Sequence, residues 1–450
     1  METMQHKLLL RFVKILNIAL ATLPFGVCWY LVYAPQMAQP YYNKGNWAII
    51  ALFCVLYITY CQIYDGHRIS LSRISELIGS QLLALLLADA LMYGVIWLLT
   101  KYIPPALPLL AALLAQGILA AAWCLWVHQW YFHTFAPKRT AVIYDFREGL
   151  EDLISAYGLE KKFSVIETVD LRAALAEDLA LLERVEVVFL FGVHSHERNI
   201  ILKQCIAQGV EVYLIPTIGD VLMSGAKRMH LFHLPILRAA RYNPGPEYLF
   251  VKRAIDLAAS GLALAVFSPV MLGAALAIRW TDGGPVFYRQ KRLTQNGRVF
   301  EVLKFRSMRV DAEKDGVARL STGKSDDRIT PVGRVLRKYR LDELPQLINI
   351  LRGEMSLVGP RPERPEIAAQ YQQELPEFSL RLQAKAGLTG YAQVYGKYNT
   401  TPYDKLKMDL MYIANPSLGE DLMIIFATIK ILFQPESTEG VNDGQTTAAQ

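Results

Sequence analysis

Cysteine is scarce in this sequence of 450 residues, with only five in total. Cys28, Cys54, Cys61 and Cys124 fall within or beside apolar stretches, which leaves Cys205 alone in the more polar part of the chain. This pattern contains no disulfide framework and no metal-binding spacing. The glycine fingerprint of a dinucleotide site is also missing, because the first strand-like run of the central region is followed by DFREG.

Charged residues are few as well, at 20%, whereas 53% of the residues are apolar. The stretches 12–33, 47–64, 77–99 and 106–127 have roughly the 17–25 residues needed to cross a bilayer as a helix. Basic residues of the short loops alternate between two sides, with only Lys44 and Lys101 on one of them and the others opposite, namely Lys7, Arg11, Lys14, Arg68, Arg73, Lys138 and Arg139. The positive-inside rule therefore predicts a four-helix transmembrane domain, 1–137, with both ends in the cytoplasm.

Residues 138–240 change character and predict a second domain. Strand-like runs at 141–144, 185–191 and 210–215 alternate with a helical stretch at 197–208, as in a small Rossmann-like α/β unit. Without the dinucleotide fingerprint, we expect a structural or regulatory domain. The segment RYNPGPE then marks a linker to a third domain, 241–433, and the polar tail, 434–450, is predicted to be disordered.

A second kind of membrane segment begins the third domain. Residues 257–278 carry no charge, so their length would allow a spanning helix, and a kinked spanning helix is the alternative. Basic residues flank both ends, and Ser268-Pro269 lies at the midpoint. Proline removes a helical hydrogen bond, and the serine hydroxyl is suited to satisfy the freed carbonyl. We therefore expect a re-entrant hairpin at about 250–280 that returns the chain to the cytoplasm.

Residues 286–340 contain fifteen Lys or Arg against six Asp or Glu, although the net charge of the whole chain is only +6. Such an excess predicts an anionic partner. The stretch shows no nucleic-acid-binding motif and no interleaved aromatic platform. Nucleic acid is therefore not expected, and lipid phosphate and a sugar diphosphate fit better.

The stretch leads into the acid pair Asp342-Glu343. An amphipathic helix containing Val332 and Leu336 precedes the pair, and a helix at 345–351 is predicted to follow it. Two adjacent carboxylates suit a divalent ion such as Mg²⁺ that holds a diphosphate. A carboxylate in this position is also able to attack phosphorus. The alternative is an acid pair that only caps a helix.

The order of short motifs in the third domain is more specific than any one of them. The chain contains FSPV at 267–270, KFRSM at 304–308, RLDELPQL at 340–347, SLVGPRP at 356–362, GLTGYAQV at 387–394 and KMDLMYIAN at 407–415. In this order the chain resembles the bacterial monotopic phosphoglycosyl transferases over residues 247–432. The two preceding domains resemble the N-terminal extension of the large members, the undecaprenyl-phosphate glucose or galactose phosphotransferases.

This resemblance implies a reaction and a set of site residues. Asp342 is the expected nucleophile on a UDP-sugar, forming a covalent phosphosugar-enzyme intermediate and releasing UMP, and polyprenyl phosphate then accepts the sugar phosphate. Glu343 is expected to help organise Mg²⁺ together with Asp342. The resemblance places further residues around the substrates, namely Lys304, Arg337, Pro360, Arg361, Pro362, Gln393 and Asp409, with Ser268 and Pro269 as the helix-breaking pair. For Asp409 a surface acid, and for Gln393 a turn amide, are the alternatives.

Two other functions remain open from the sequence. The chain could be a catalytically silent membrane scaffold, or a transferase whose site lies among its spanning helices, where Asp65, Glu76 and Asp89 are the available acids. The intact acid pair favours the membrane-surface enzyme at the cytoplasmic face of a bacterial inner membrane, with membrane lipid as a partner. A homodimer is also expected. The motifs do not identify the sugar.

Overall fold

The computed structural model describes residues 4–41, 44–145, 151, 154–155, 158–309, 328–396 and 400–432. The chain forms two compact units, Met1–Ile215 and Pro216–Gln450. The first contains four long apolar helices and a parallel sheet, and the second contains a fifth long helix and most of the predicted site residues. The predicted disordered tail, 434–450, lies outside the described residues.

The long helices of the first unit are α1 (Met4–Cys28), α2 (Lys44–Ile63), α3 (Ile74–Thr100) and α4 (Leu107–Thr134). Each is long and apolar enough to cross a bilayer, as is one helix of the second unit. The four predicted apolar helices are therefore confirmed, whereas the number of crossings stays a prediction. Val13, Leu77, Trp123 and Val127 belong to a buried cluster that α1, α3 and α4 share.

Polar side chains join α1, α2 and α3 inside this bundle. Nδ2 of Asn17 donates to Oε1 of Gln81 (3.0 Å), and the Tyr57 hydroxyl donates to Oδ1 of Asn17 (2.8 Å). Gln81 also donates to the carbonyl of Gly66 (2.9 Å) in the loop between α2 and α3. Hydrogen bonds between membrane helices contribute about 0.6 kcal/mol each, so this network helps to fix how the helices align.

The sheet of the first unit has the order β2-β1-β3-β4 with all strands parallel. Its elements are β1 (Lys138–Tyr144), β2 (Phe163–Asp170), α5 (Leu171–Ala176), β3 (Val187–Phe191), α6 (Ser195–Gln208) and β4 (Glu211–Leu214). The predicted parallel α/β unit is confirmed, but the sequence pattern indicated only three strands. The missed strand, β2, lies at the sheet edge and alternates between more and less exposed residues, so it lacks the continuous apolar run of a central strand.

The second unit combines one long helix with many short elements. They are α7 (Ile218–Ser224), β5 (Lys227–Leu231), β6 (Leu234–Arg238), α8 (Pro246–Asp282), β7 (Phe287–Leu293), β8 (Val299–Phe305), α9 (Pro331–Lys338), α10 (Gln346–Arg352), β9 (Ser356–Val358), α11 (Pro365–Glu374), β10 (Gly387–Thr389), α12 (Tyr391–Tyr395), α13 (Pro402–Ala414) and α14 (Leu418–Leu432). The pairs β5-β6 and β7-β8 are antiparallel, and β9-β10 is parallel. Val358, Phe378, Leu406, Leu410 and Ile424 belong to a buried core beneath β9, α13 and α14.

Helix α8 is continuous through Ser268 and Pro269. Proline at 269 has no N–H to donate to the carbonyl of Ala265, one turn earlier. The Ser268 hydroxyl donates to that carbonyl at 2.8 Å, which confirms the predicted use of the serine. No loop separates the two halves of α8, so the sharp hairpin bend stays a prediction.

The amino end of α8 is fixed to the rest of the second unit by a buried polar cluster. Lys252 Nζ lies 2.9 Å from Oδ1 of Asp421, which belongs to α14. The hydroxyls of Tyr412 and Tyr248 donate to the two oxygens of the same carboxylate, both at 2.8 Å. Because Asp421 is buried and receives three donors, its charge is satisfied and α8 is held at a defined angle on α13 and α14.

The residues that follow Lys252 on α8 contact the segment after the acid pair. Arg253 donates to the carbonyls of Ile350 (2.7 Å) and Leu351 (2.8 Å) at the carboxyl end of α10. Oδ1 of Asp256 accepts from the N–H of Leu357 on β9 at 2.9 Å. A basic side chain at a helix carboxyl end is favourable, so the long helix and α10 form one rigid support.

Candidate active site

Asp342 and Glu343 lie on one short turn between two helices. Helix α9 ends at Lys338, and Arg340 adopts the left-handed backbone conformation with φ of 52°, which is uncommon for a residue with a side chain. The turn Leu341–Glu343 follows, and α10 begins at Gln346. Both predicted helices are therefore confirmed, and the acid pair lies where the chain reverses between them.

Glu343 is held by two cations on a single oxygen. Nζ of Lys304, from β8, and Nη2 of Arg361 each lie 2.9 Å from Oε1 of Glu343. Burial would raise the pKa of Glu343, but Lys304, Arg361 and Arg340 lower that pKa well below its ordinary value. Glu343 is consequently ionised at neutral pH and orients the Lys304 and Arg361 side chains.

Asp342 has a different environment on the same turn. Its carboxylate accepts no hydrogen bond from any residue in the described ranges. Burial and the adjacent Glu343 raise the pKa of Asp342 to about 6, against the opposing effect of Lys304, Arg337 and Arg361. The pair is therefore split into Glu343, which two cations neutralise, and Asp342, which accepts no hydrogen bond from the described residues and has a raised pKa, a pattern that separates chemical roles.

Arg337 lies on the last turn of α9 and faces the segment after β8. Its Nε donates to the Ser307 hydroxyl at 2.9 Å, so the KFRSM motif supplies both Lys304 and the residue that positions Arg337. The positive charge of Arg337 lowers the pKa of the Asp342 carboxyl. Residues 310–327 of the predicted basic stretch lie outside the described residues.

Hydrogen bonds to three successive backbone carbonyls fix the loop Pro360-Arg361-Pro362. The N–H of Gly387 donates to the carbonyl of Pro360 (2.9 Å), Arg381 donates to that of Arg361 (2.9 Å), and Arg292 donates to that of Pro362 (3.0 Å). Two arginines from outside the motif therefore fix the loop in addition to its two prolines, and the side chain of Arg361 extends from a rigid backbone.

Asp409 is buried next to Arg381, which contacts this loop, and does not lie on the surface. It is 1% exposed on α13, and its Oδ2 lies 2.7 Å from Nη2 of Arg381, the side chain that donates to the Arg361 carbonyl. The surface-acid alternative for Asp409 is therefore wrong. Sequence reasoning missed Arg381, because no motif surrounds it and only its burial beside an acid reveals it.

Gln393 lies on the short helix α12, and its Nε2 donates to the carbonyl of Leu388 at 3.2 Å. Its Oε1 is buried and has no hydrogen-bond partner among the residues that the structure describes. A buried amide oxygen without a donor is costly. The contact with Leu388 matches the turn-amide alternative, and a role of Gln393 toward a substrate stays a prediction.

A cavity of about 190 Å³ adjoins the same loop, with Pro360, Arg361, Phe378 and Arg381 in its wall. Pockets for whole small-molecule ligands are commonly about 300–1,000 Å³. This cavity is therefore large enough for only one part of a nucleotide sugar.

The acid pair also fits a magnesium ion. Both oxygens of Asp342 are without hydrogen bonds from described residues, and only Oε1 of Glu343 accepts from the two cations. In the described part of the chain, no group of three or more His, Cys, Asp or Glu side chains could hold a metal ion. Mg²⁺ is commonly held by one or two carboxylates and substrate phosphates, so Asp342 and Oε2 of Glu343 suit such an ion.

The acids of the first unit do not form a comparable pair. Asp65 lies 2.9 Å from Arg68, and Glu76 accepts from the N–H of Arg73 at the start of α3. Asp89 is 3% exposed, and neither of its oxygens has a hydrogen-bond partner among the described residues. A single buried acid does not build the alternative site among the helices.

Comparison with the sequences of known proteins shows which family this chain belongs to. Residues 247–435 match the family described as bacterial sugar transferase. The exopolysaccharide production protein ExoY of Rhizobium meliloti is 39% identical over 191 residues, which cover 40% of this chain and 83% of that protein. The chain belongs to the bacterial sugar transferase family. The resemblance predicted from the motifs is thus confirmed.

Two further members of the bacterial sugar transferase family carry more specific names. The UDP-glucose:undecaprenyl-phosphate glucose-1-phosphate transferase of Caulobacter vibrioides is 42% identical over 191 residues, which are 41% of this chain and 71% of that protein. The UDP-N-acetylgalactosamine-undecaprenyl-phosphate N-acetylgalactosaminephosphotransferase of Aeromonas hydrophila is 38% identical over 234 residues. That match covers 51% of this chain and 54% of the relative, so the chain spans about half the length of that protein.

Proposed function

We propose that this chain transfers a hexose-1-phosphate from a UDP-sugar to undecaprenyl phosphate or a related polyprenyl phosphate and releases UMP. The split carboxylate pair carries the proposal, because Asp342 accepts no hydrogen bond from the described residues and lies beside cations suited to phosphates. The names of the relatives from Caulobacter and Aeromonas support the donor and acceptor classes. Such a transfer would be the first membrane step of exopolysaccharide, capsule or O-antigen synthesis.

Asp342 would act as the nucleophile in two displacements. One of its carboxylate oxygens attacks the sugar-proximal phosphorus of the UDP-sugar, and the bond from that phosphorus to the bridging oxygen breaks. UMP leaves with the bonding electron pair, and a phosphosugar-aspartate remains. A phosphate oxygen of the polyprenyl phosphate then attacks the same phosphorus and breaks the bond to Asp342, which restores the carboxylate.

The surrounding cations would stabilise charge on the transferred phosphoryl group. Arg361 is fixed by its loop and Lys304 by Glu343, so both hold donors in place before the substrate arrives, which is the main source of catalysis in phosphoryl transfer. The positive charge of Arg337 would favour the ionised form of Asp342, the form that attacks phosphorus. Gln393, whose Oε1 has no hydrogen-bond partner among the described residues, would accept from the donor substrate, whereas Asp409 would act through Arg381 as a positioning residue.

Mg²⁺ would be held by Asp342 and Oε2 of Glu343 together with phosphate oxygens of the substrates. When bound, it would neutralise part of the diphosphate charge. Because Lys304 and Arg361 already engage Oε1 of Glu343, this residue would hold the metal through Oε2 and the two basic side chains through Oε1.

The long helix α8 would lie in one leaflet of the inner membrane, with the second unit at the cytoplasmic face. Ala263 and Leu264 pack against the buried cluster that contains Phe300 of β8, while Ile278 clusters with Phe305 at the other end of that strand. Strand β8 thus runs beside both halves of α8 and carries Lys304. A crossing helix would draw this charged strand into the bilayer, which is costly, so the packing favours the re-entrant placement.

Accessibility labelling tests this placement. In a variant without the five native cysteines, Glu247→Cys and Pro285→Cys should react with a membrane-impermeant maleimide from the same side. Labelling of the two positions from opposite sides would establish a spanning helix instead.

UMP release from UDP-glucose and UDP-N-acetylgalactosamine by protein in nanodiscs tests the enzymatic proposal. Asp342→Asn should lower the rate by about 10³-fold or more, as for other lost nucleophiles. Asp178→Asn is the matched control, because Asp178 is exposed in the first unit and asparagine tolerates its positive φ. Equal activity of Asp342→Asn and wild type would rule out the nucleophile, and the donor preference would identify the sugar.

Size-exclusion light scattering would test the expected homodimer.

A further inference from the structure

A cavity of about 1290 Å³ lies within the first unit, between the ends of the long helices and the sheet. Its floor is formed by the start of α1, the loop between α2 and α3, and the end of α4. Its roof is the edge at which all four parallel strands begin, with Lys138, Lys162, Val185 and Val210 among the lining residues. The cavity is distinct from the acid pair, which belongs to the second unit.

The cavity is rich in cations from separate segments. Lys14, Arg68, Lys138, Lys161 and Lys162 line it, against three carboxylates, Glu183, Glu186 and Glu211. Some of this charge is compensated, since Lys138 lies 2.7 Å from Glu211 and Arg68 lies 2.9 Å from Asp65.

Two lysines lack such compensation. In the described ranges, neither Lys14 nor Lys161 lies within ion-pair distance of a carboxylate. Lys161 lies 5.9 Å from the ring centroid of Phe132. Burial and the charge of Lys14 lower the pKa of His67 to about 4, so His67 is neutral and the positive charge comes from the lysines.

The cavity also has an apolar side and a polar bridge. Leu10, Ile69 and Phe135 line it beside the lysines. Nζ of Lys162 donates to the Ser70 hydroxyl at 3.2 Å and so connects the sheet to the helix loop. Lysines without an ion-pair partner among the described residues, next to apolar residues at the end of long apolar helices, suit a phosphate group on an amphipathic molecule.

We propose that this cavity binds a phosphate ester, with Lys14 and Lys161 as its charged contacts. The bound phosphate would bridge α1 and the segment before β2, and so hold the sheet against the helix ends. This assigns the central domain a ligand at the strand amino ends. The missing dinucleotide fingerprint concerns the opposite edge of the sheet, where the strands end.

Native mass spectrometry of the full chain in detergent tests the proposal with dioleoyl phosphatidic acid, dioleoyl phosphatidylcholine and UMP as separate probes. The double variant Lys14→Gln/Lys161→Gln should bind the preferred anionic probe about 30-fold more weakly than wild type, as expected from the loss of two lysine charges at a membrane surface. Comparing variant with wild type removes any contribution from the second unit. The matched control is Arg172→Gln/Lys203→Gln, which removes two exposed charges outside the cavity.

Each outcome has a defined meaning. A loss for phosphatidic acid assigns a lipid source, and a loss for UMP assigns a soluble one; either supports the proposal. Equal binding of all probes by wild type and double variant, or an equal loss in the control, would overturn it. Should the double variant not fold, the single variants, each expected to bind about fivefold more weakly, decide the question.

Discussion

Replacing Arg381 with methionine tests whether the buried pair of Arg381 and Asp409 fixes the loop that carries Arg361. The side chains of Arg381 and Asp409 are 6% and 1% exposed, and they lie 2.7 Å apart. Arg381→Met leaves the Asp409 carboxylate buried and unpaired, which costs about 3–5 kcal/mol. For a domain of this size the thermal midpoint should fall on the order of 10 °C.

A double variant separates stability from catalysis. Arg381→Met/Asp409→Leu replaces the whole pair with apolar side chains, so we expect much of the stability to return. The carbonyl of Arg361 still lacks its donor (2.9 Å in the native protein). Because a small displacement of a phosphate-binding group costs about 10²-fold, UMP release should remain low, mainly through kcat.

The control is another ion pair on α13. Lys407 lies 2.8 Å from Asp404 and does not donate to the Arg361 loop. Lys407→Met should lower the thermal midpoint and leave kcat near the wild-type value. Full activity in Arg381→Met/Asp409→Leu would show that the hydrogen bond to Arg361 does not position the loop, and an unchanged midpoint in Arg381→Met would contradict the buried pair.

Three further predictions follow from the carboxylates. Because the pKa of Asp342 is raised to about 6, UMP release should decline below pH 6 as the nucleophile is protonated; a flat rate from pH 5 to pH 8 would contradict its role. A carboxyl with a raised folded pKa favours folding at low pH, and that contribution is lost as the pH rises from about 4 to about 6. Asp342→Asn should therefore raise the thermal midpoint at pH 7.5 by a few degrees but leave it unchanged near pH 4. Asp421→Asn, which leaves Lys252 without its carboxylate, should destabilise the protein by about 3 kcal/mol, and a midpoint within one degree of wild type would refute the anchoring of α8.

The parts of the site that could be predicted are those with local signals. Periodicity and proline predicted the helices around Asp342, whereas the place of Lys304 and Arg361 near phosphates is implied by the resemblance and stays a prediction. The convergence of both cations on one oxygen of Glu343 depends on strand β8 and the proline loop meeting in space, and no local pattern encodes that meeting.

The missed residues share one physical cause. Arg381 and Arg292 donate to carbonyls of the proline loop from 20 and 70 residues away along the chain. Their function lies in long-range contacts, and neither has a neighbouring motif. Strand β2 was missed because an edge strand alternates in exposure, and Asp409 became interpretable only through its burial against Arg381.

The covalent intermediate is the central claim, and one measurement tests it directly. The protein is incubated with UDP-sugar and Mg²⁺ in the absence of polyprenyl phosphate, quenched, digested and sequenced by mass spectrometry. We expect one hexose-phosphate adduct on Asp342 that disappears when undecaprenyl phosphate is added and is absent from Asp342→Asn. An adduct on another residue, or UMP released only when the acceptor is present and without any adduct, would contradict the two-step reaction.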